Sequence, residues 1–322
     1  MFNVKTLSPH GFCMGVKMAI EKALHALDVV QPVYCLHALV HNEGVIAELR
    51  GKGLRVVDDL DDVPRGATVL FSAHGVAPEV RRAAEARALH VIDATCPFVA
   101  RVHRQVRDDA ARGLFVVVIG HADHVEVRGI VGEARAAGAR VAVVATPQDV
   151  AALAARLDPL PPIGVVSQTT LSGDDLREIL DALAAAFPQR EIHPASDICT
   201  ATRDRQEAVR RFVAAGGDGV LVLGSATSSN TRRLAEIATA AGARRVWRVA
   251  TPEDLAVCDF SGLASLGVTS GASTPEAVLH AVLARLQSPS TATEDAEPAG
   301  RGGSSPASAS MNCAAASTSS HV

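Results

Sequence analysis

The chain has 322 residues, 48% of them hydrophobic, enough to bury two or three separate cores. Its 31 basic and 35 acidic residues leave a net charge of -4, with no basic run able to neutralise a phosphate backbone, which argues against a nucleic-acid partner. The N-terminal "MFNVKTLSPHGF" lacks the apolar core of a signal peptide and no window approaches the roughly 18 to 20 apolar residues that span a bilayer, so the expectation is a soluble cytoplasmic protein with no membrane partner.

In chain order, the first regular pattern follows Cys13, where Val16, Ile20, Leu24 and Leu27 recur at helical spacing. A polar loop with His41 and Asn42 ("VHN") comes next, then a strand-like run, "ATVLFSA", that leads into His74 and Gly75. Asp93 precedes the second cysteine, Cys96, in "IDATCPF", and Val99, Val102 and Val106 continue behind it as another helix face. "LFVVVIG" and "RVAVVAT" bracket the loop "GHADHVEV", which holds His124 and Glu126, and "IGVVSQT" leads to Thr169 and Thr170. The third cysteine, Cys199, precedes Val209, Phe212 and Val213. "DGVLVLG" then ends at Gly224 before Ser228, Ser229 and Asn230, and "SLGVTSG" ends at Gly271 before Ser273. Short Val/Ile/Leu runs alternating with Ala-rich helical segments predict an α/β protein whose small, mostly parallel sheets are covered by helices.

His41, His124 and Ser228 follow Cys13, Cys96 and Cys199 by 28, 28 and 29 residues. A second set, His74, Thr169 and Ser273, follows at 61, 73 and 74 residues. This regularity reads as three diverged copies of one unit, 1–96, 97–195 and 196–287, in a pseudo-threefold arrangement. The segment 288–322 is built of Ser, Ala, Thr, Gly and Pro with little to bury, and is expected to be a disordered tail in which Cys313 has no role.

Loops at the carboxyl ends of parallel strands are where α/β units place ligands, so three units would bring three cysteines together. Each precedes a helical pattern, and a helix N-terminus favours the thiolate that a metal requires. Close C-x2-C pairs typical of structural zinc are absent; three widely separated thiolates suit an iron–sulfur cluster, with one iron left open for substrate. Cys35 and Cys258 have no counterpart in the repeat and read as small buried apolar residues. The polar set suits the oxygens of a small phosphorylated anion, and no P-loop or dinucleotide fingerprint is present. Each residue also has a plainer reading: a histidine as a loop residue, "SSN" as a helix cap, Glu126 as a first-turn glutamate rather than a proton donor whose pKa a diphosphate raises. Asp93 and Asp197 are expected to brace their junctions.

Taken together, "GFCMGV", "VHN", "SAHGV", "DATCP", "GHADHVEV", "SQTTLS", "DICTAT" with "RQEAV", "GSATSSN" and "GVTSGAS" resemble the LytB family of 4-hydroxy-3-methylbut-2-enyl diphosphate reductases, in order from about Cys13 to Ser273. The resemblance implies three α/β units around one central 4Fe-4S cluster with three cysteine ligands, Cys13, Cys96 and Cys199. It implies a two-electron, two-proton removal of an allylic hydroxyl, giving isopentenyl and dimethylallyl diphosphates at the end of the non-mevalonate pathway. By it, His41, His74, His124, Ser228, Ser229, Asn230 and Ser273 hold the diphosphate, Glu126 with Thr169 relays a proton, and a ferredoxin or flavodoxin supplies electrons. His10, Thr200 and Ser270 depart from the family pattern. Two other readings stand beside it: a dehydrating or condensing cluster enzyme akin to quinolinate synthase, and a non-catalytic iron–sulfur sensor.

Overall fold

The computed structural model describes residues 2–156, 162–194 and 198–287. The expected tail 288–322 with Cys313, and Asp197, lie outside these residues. The chain runs β1 (Asn3–Thr6), α1 (Met14–Val29), β2 (Val33–Leu36), α2 (Glu43–Gly51), β3 (Leu54–Val57), β4 (Thr68–Phe71), α3 (Pro78–Ala86) and β5 (His90–Asp93). It continues through α4 (Pro97–Ala111), β6 (Phe115–Ile119), α5 (Val125–Ala136), β7 (Val141–Val144), α6 (Pro147–Ala154), β8 (Ile163–Ser167), α7 (Gly173–Ala186) and β9 (Ile192–Pro194). The last elements are α8 (Thr200–Ala214), β10 (Gly219–Leu223), α9 (Ser229–Ala240), β11 (Arg245–Val249), β12 (Ser265–Ser270) and α10 (Glu276–Gln287).

These strands form three four-stranded sheets, ordered β3-β2-β4-β5, β7-β6-β8-β9 and β11-β10-β12-β1, and every pairing among the described residues is parallel. The apolar runs become β4, β6, β7, β8, β10 and β12. They are apolar at successive positions because helices cover both faces of each sheet. In β6, Phe115, Val117 and Ile119 enter one core while Val116 and Val118 enter another on the opposite face. Burying each such side chain contributes about 1.5–3 kcal/mol, which offsets the entropy of ordering short strands.

Chain order groups β1 with the first unit, but its hydrogen bonds pair it with β12, from Asn3 opposite Ser265 to Thr6 opposite Val268. It therefore takes, in the third sheet, the edge position that β5 holds in the first and β9 in the second. The consequence is topological. Each cysteine lies between the last strand of one sheet and the first helix of the next unit: Cys13 between β1 and α1, Cys96 between β5 and α4, Cys199 between β9 and α8. The mixed composition of β1 ("NVKT") and β5 ("HVID") follows from this edge position, where one side of the strand needs no apolar partner.

Contacts between units are tight where α3 meets α5. A Cβ added at Gly132 would stand 2.2 Å from the Cβ of Ala77, so the helices approach over a hydrogen atom. Gly132→Leu is expected to cost at least about 1–3 kcal/mol, read as a lower urea midpoint, because backbone must move to admit it. Gly51→Ala, at a helical position with nothing within 4 Å, is expected to raise stability by about 0.4–1 kcal/mol in the same assay.

A candidate active site at the carboxyl ends of the strands

The three cysteines are N-cap residues of α1, α4 and α8, each with extended φ and ψ. Their N–H groups donate to one structurally repeated acceptor, the carbonyl two residues beyond the third strand of the preceding sheet: Cys13 to Ala272 at 2.9 Å, Cys96 to Ala73 at 3.0 Å, Cys199 to Thr169 at 3.3 Å. The loops after β2, β6 and β10 repeat as well, each ending in the N-cap of a helix. Asn42 accepts from Val45 N–H, His124 Nδ1 from Glu126 N–H, and Ser228 from Thr231 N–H. Six helix N-termini and nine strand ends thus face one centre.

One cavity is lined by Cys13, His41, His74, Cys96, His124, Glu126, Thr169, Cys199, Ser228, Ser229, Asn230 and Ser273, every residue given a cluster, diphosphate or proton role in the sequence, while Asn42 of the polar loops does not line it. Thr170, also part of the polar set, lines it too, and the remaining wall was not legible residue by residue: Gly15, Val16, Val40, Ala73, Phe98, Val99, Thr202 and Ala272. The cysteine register was the signal that could have found part of it, since Val16, Val99 and Thr202 each lie three residues beyond a cysteine. Thr202 breaks the apolar pattern and stands 3.0 Å from Cys199 Sγ through its hydroxyl. The repeat also registers differently at the second loops, where the carbonyl-bearing positions are Ala73, Thr169 and Ala272 and the next residues are His74, Thr170 and Ser273.

The imidazoles of His41, His74 and His124 cluster, with ring centroids 4.4, 5.4 and 5.9 Å apart. Burial holds all three below the usual histidine range, His124 at about 4, and the neighbouring rings add to this for His74 and His124. They are neutral donors at pH 7. Because His124 Nδ1 accepts the Glu126 N–H, its proton sits on Nε2, and that Nε2, His41 Nε2 and both amide atoms of Asn230 are buried without a hydrogen-bond partner. Several orphaned polar atoms around one cavity call for a polar ligand with several oxygens.

Glu126, 2% exposed in the first turn of α5, is not a solvated residue. Its Oε1 accepts from Thr169 N–H at 2.7 Å and its Oε2 from the Thr169 hydroxyl at 3.1 Å. Since the Thr169 carbonyl accepts from Cys199, one residue joins the carboxylate to the third cysteine. Asp93 braces its junction, accepting from Thr95 N–H at 2.9 Å and pairing with Arg81 at 2.8 Å. Cys35 is fully buried, its thiol pushed up to about 12, and neither it nor Cys258 lines the cavity.

Two of the thiols depart from expectation in sign. Burial pushes Cys96 and Cys199 above the ordinary cysteine value, outweighing the N–H groups of Phe98, Val99 and Thr202 that pull them down. A cation is what would bring thiolates into such surroundings. Among the described residues no three His, Cys, Asp or Glu side chains converge on a single ion. Three cysteines spread around one cavity suit a cluster, whose ligands stand further apart than those of one ion. Gly15 makes room for one of them, since a Cβ there would lie 2.4 Å from Cys96 Sγ.

The LytB protein family model matches residues 4–287. A 4-hydroxy-3-methylbut-2-enyl diphosphate reductase of Hahella chejuensis is 44% identical over 293 residues, covering 88% of this chain and 89% of the relative. One from Rhodopirellula baltica is 42% identical over 291 residues, covering 90% and 89%. The solved structure of the E-1-hydroxy-2-methyl-but-2-enyl-4-diphosphate reductase from Plasmodium falciparum matches with a TM-score of 0.83 and 33% identity over 90% of this chain and 89% of that one.

An anion entering the imidazole cluster would raise its pKa values, so binding should take up protons. The sign follows: affinity strengthens as pH falls through the bound-state value and levels off near the free value of about 4 for His124. Titration calorimetry with inorganic pyrophosphate, in buffers of different ionisation enthalpy between pH 8 and 5, should show this uptake. It should be smaller in His124→Asn, where asparagine still caps α5, and equal uptake in the two proteins would exclude His124 from the linkage.

Proposed function

This chain belongs to the LytB protein family and acts as a 4-hydroxy-3-methylbut-2-enyl diphosphate reductase, the terminal enzyme of the non-mevalonate pathway, and we propose how its residues divide that reaction. The observation that carries the proposal is a single cavity lined both by three N-cap cysteines and by the buried, unpartnered atoms of His41, His124 and Asn230. The family is an iron–sulfur one. Cys13, Cys96 and Cys199 would hold one 4Fe-4S cluster, which supplies two electrons and, at an iron without a protein ligand, a Lewis-acid position for the substrate hydroxyl. A ferredoxin or flavodoxin would deliver the electrons.

The diphosphate would lie among His41, His74, His124, Ser228, Ser229, Asn230 and Ser273. There His124 Nε2–H and the Asn230 amide gain the partners they lack, and the N-termini of α2, α5 and α9 favour its charge. In the free site the imidazoles are neutral, so no buried cation has to be desolvated before the anion arrives. Val16, Val40, Phe98 and Val99 exclude water from the hydrocarbon. Cleaving the allylic C–O bond needs a proton on the departing oxygen. Glu126 would hold that proton on Oε2 and pass it through the Thr169 hydroxyl, with Thr169 N–H keeping the carboxyl group oriented through Oε1.

Glu126→Gln keeps the size and most hydrogen bonding but cannot relay a proton. It is expected to retain iron, sulfide and substrate affinity while turnover falls about 10²–10⁴-fold, and wild-type turnover would remove Glu126 from the proton path. Cys96→Ser and Gly15→Ala are both expected to lower iron and sulfide content, the first by deleting a ligand and the second by displacing Cys96 Sγ. Unchanged content in Cys96→Ser would exclude Cys96 as a ligand.

A further inference from the structure

Among the buried charges left over once the substrate and proton residues are assigned, Arg205 is the cation. Arg205, on α8, is 2% exposed and does not line the cavity. Its Nε donates to Ser270 O at 3.2 Å, its Nη1 to Ala201 O at 2.9 Å and its Nη2 to Gly11 O at 2.7 Å. Among the described residues no carboxylate forms an ion pair with it. Each acceptor sits two residues from a cavity residue: Gly11 before Cys13, Ala201 after Cys199, Ser270 before Ala272. Ser270, whose hydroxyl accepts the Gly11 N–H at 2.9 Å, joins the loops after β1 and β12 around the same guanidinium.

The pseudo-threefold repeat shows that packing does not demand this residue. Six positions beyond the other two cysteines stand Ala19 and Val102, both fully buried in apolar cores. A buried guanidinium without a counter-ion is costly, and carbonyl hydrogen bonds offset only part of that cost. Burial pulls its pKa down, while Cys13 and Cys199 stand near enough to act on it in the opposite sense. Asp204 acts likewise, but it is half exposed and pairs with Arg203 at 3.3 Å. Arginine stays charged in such a place, so the charge is fixed.

We infer that Arg205 is a positioning residue for the reduction, a fixed positive charge that anchors the segments bearing Cys13 and Cys199 and raises the reduction potential of the cluster they hold. The inference rests on the three-thiolate reading of the site. A positive charge stabilises whichever oxidation state is more negative, which is the reduced one.

The test compares the holoenzyme with Arg205→Gln and Arg205→Lys, prepared anaerobically, by iron and sulfide analysis and by redox titration followed by electron paramagnetic resonance. Arg205→Gln is expected to carry the cluster with a reduced-to-oxidised ratio about tenfold lower at a given potential, a 59 mV downward shift for a one-electron couple. Arg205→Lys, which keeps the charge but loses the fork of donors, is expected to stay within about threefold of the wild type. A wild-type potential in Arg205→Gln overturns the inference, as does an equal shift in both variants, which would assign the effect to lost anchoring. Should Arg205→Gln fail to fold or load, the lysine variant decides: a potential near wild type supports the inference and a tenfold shift overturns it. A wild-type protein free of iron and sulfide would instead overturn the cluster reading itself.

Discussion

Three backbone hydrogen bonds, from the N–H groups of Cys13, Cys96 and Cys199 to the carbonyls of Ala272, Ala73 and Thr169, set the geometry on which the rest of the site depends. Each ties the start of a helix in one unit to a loop of the sheet that the chain has just left. The units are therefore coupled at the place where the cysteines stand, and β1 closes the ring by completing the third sheet. Parallel strands point their carboxyl ends the same way within each sheet, so the remaining site residues arrive on the other loops of that same edge.

The centre so formed is electrostatically divided. One part is an imidazole cluster that burial keeps neutral, next to helix N-termini and unsatisfied amide atoms, a set that gains most from an anion rich in oxygens. The other part gathers the thiols, and burial holds those of Cys96 and Cys199 in the protonated form until a cation compensates them. Glu126 stands between, bound to Thr169 and through it to Cys199.

Much of this was legible in the sequence because the chemistry needs particular residue types at the ends of apolar runs. The runs around β4, β6, β8, β10 and β12 are readable since both sheet faces are buried, and the cysteine spacing exposes the repeat. Strand β1 was not assignable to the third sheet, because four mixed residues carry no record of a partner more than 250 positions away. Nor could the sequence show that burial outweighs the helix terminus at Cys96 and Cys199, since desolvation depends on what packs around a thiol. Arg205 reads as one more charge on a helix until its three carbonyl partners are seen. Glu126 stood equally open between a solvated first-turn glutamate and a proton donor, and its burial removes the first of these.

The central claim is that three thiolates, one from each unit junction, hold a cluster whose remaining iron faces the diphosphate site. An anaerobic Mössbauer spectrum of iron-57-labelled protein, recorded with and without 4-hydroxy-3-methylbut-2-enyl diphosphate, addresses it most directly. One iron distinct from three others is expected, with a change in that iron alone when substrate is added. Four equivalent irons, or a spectrum indifferent to the diphosphate, would contradict it.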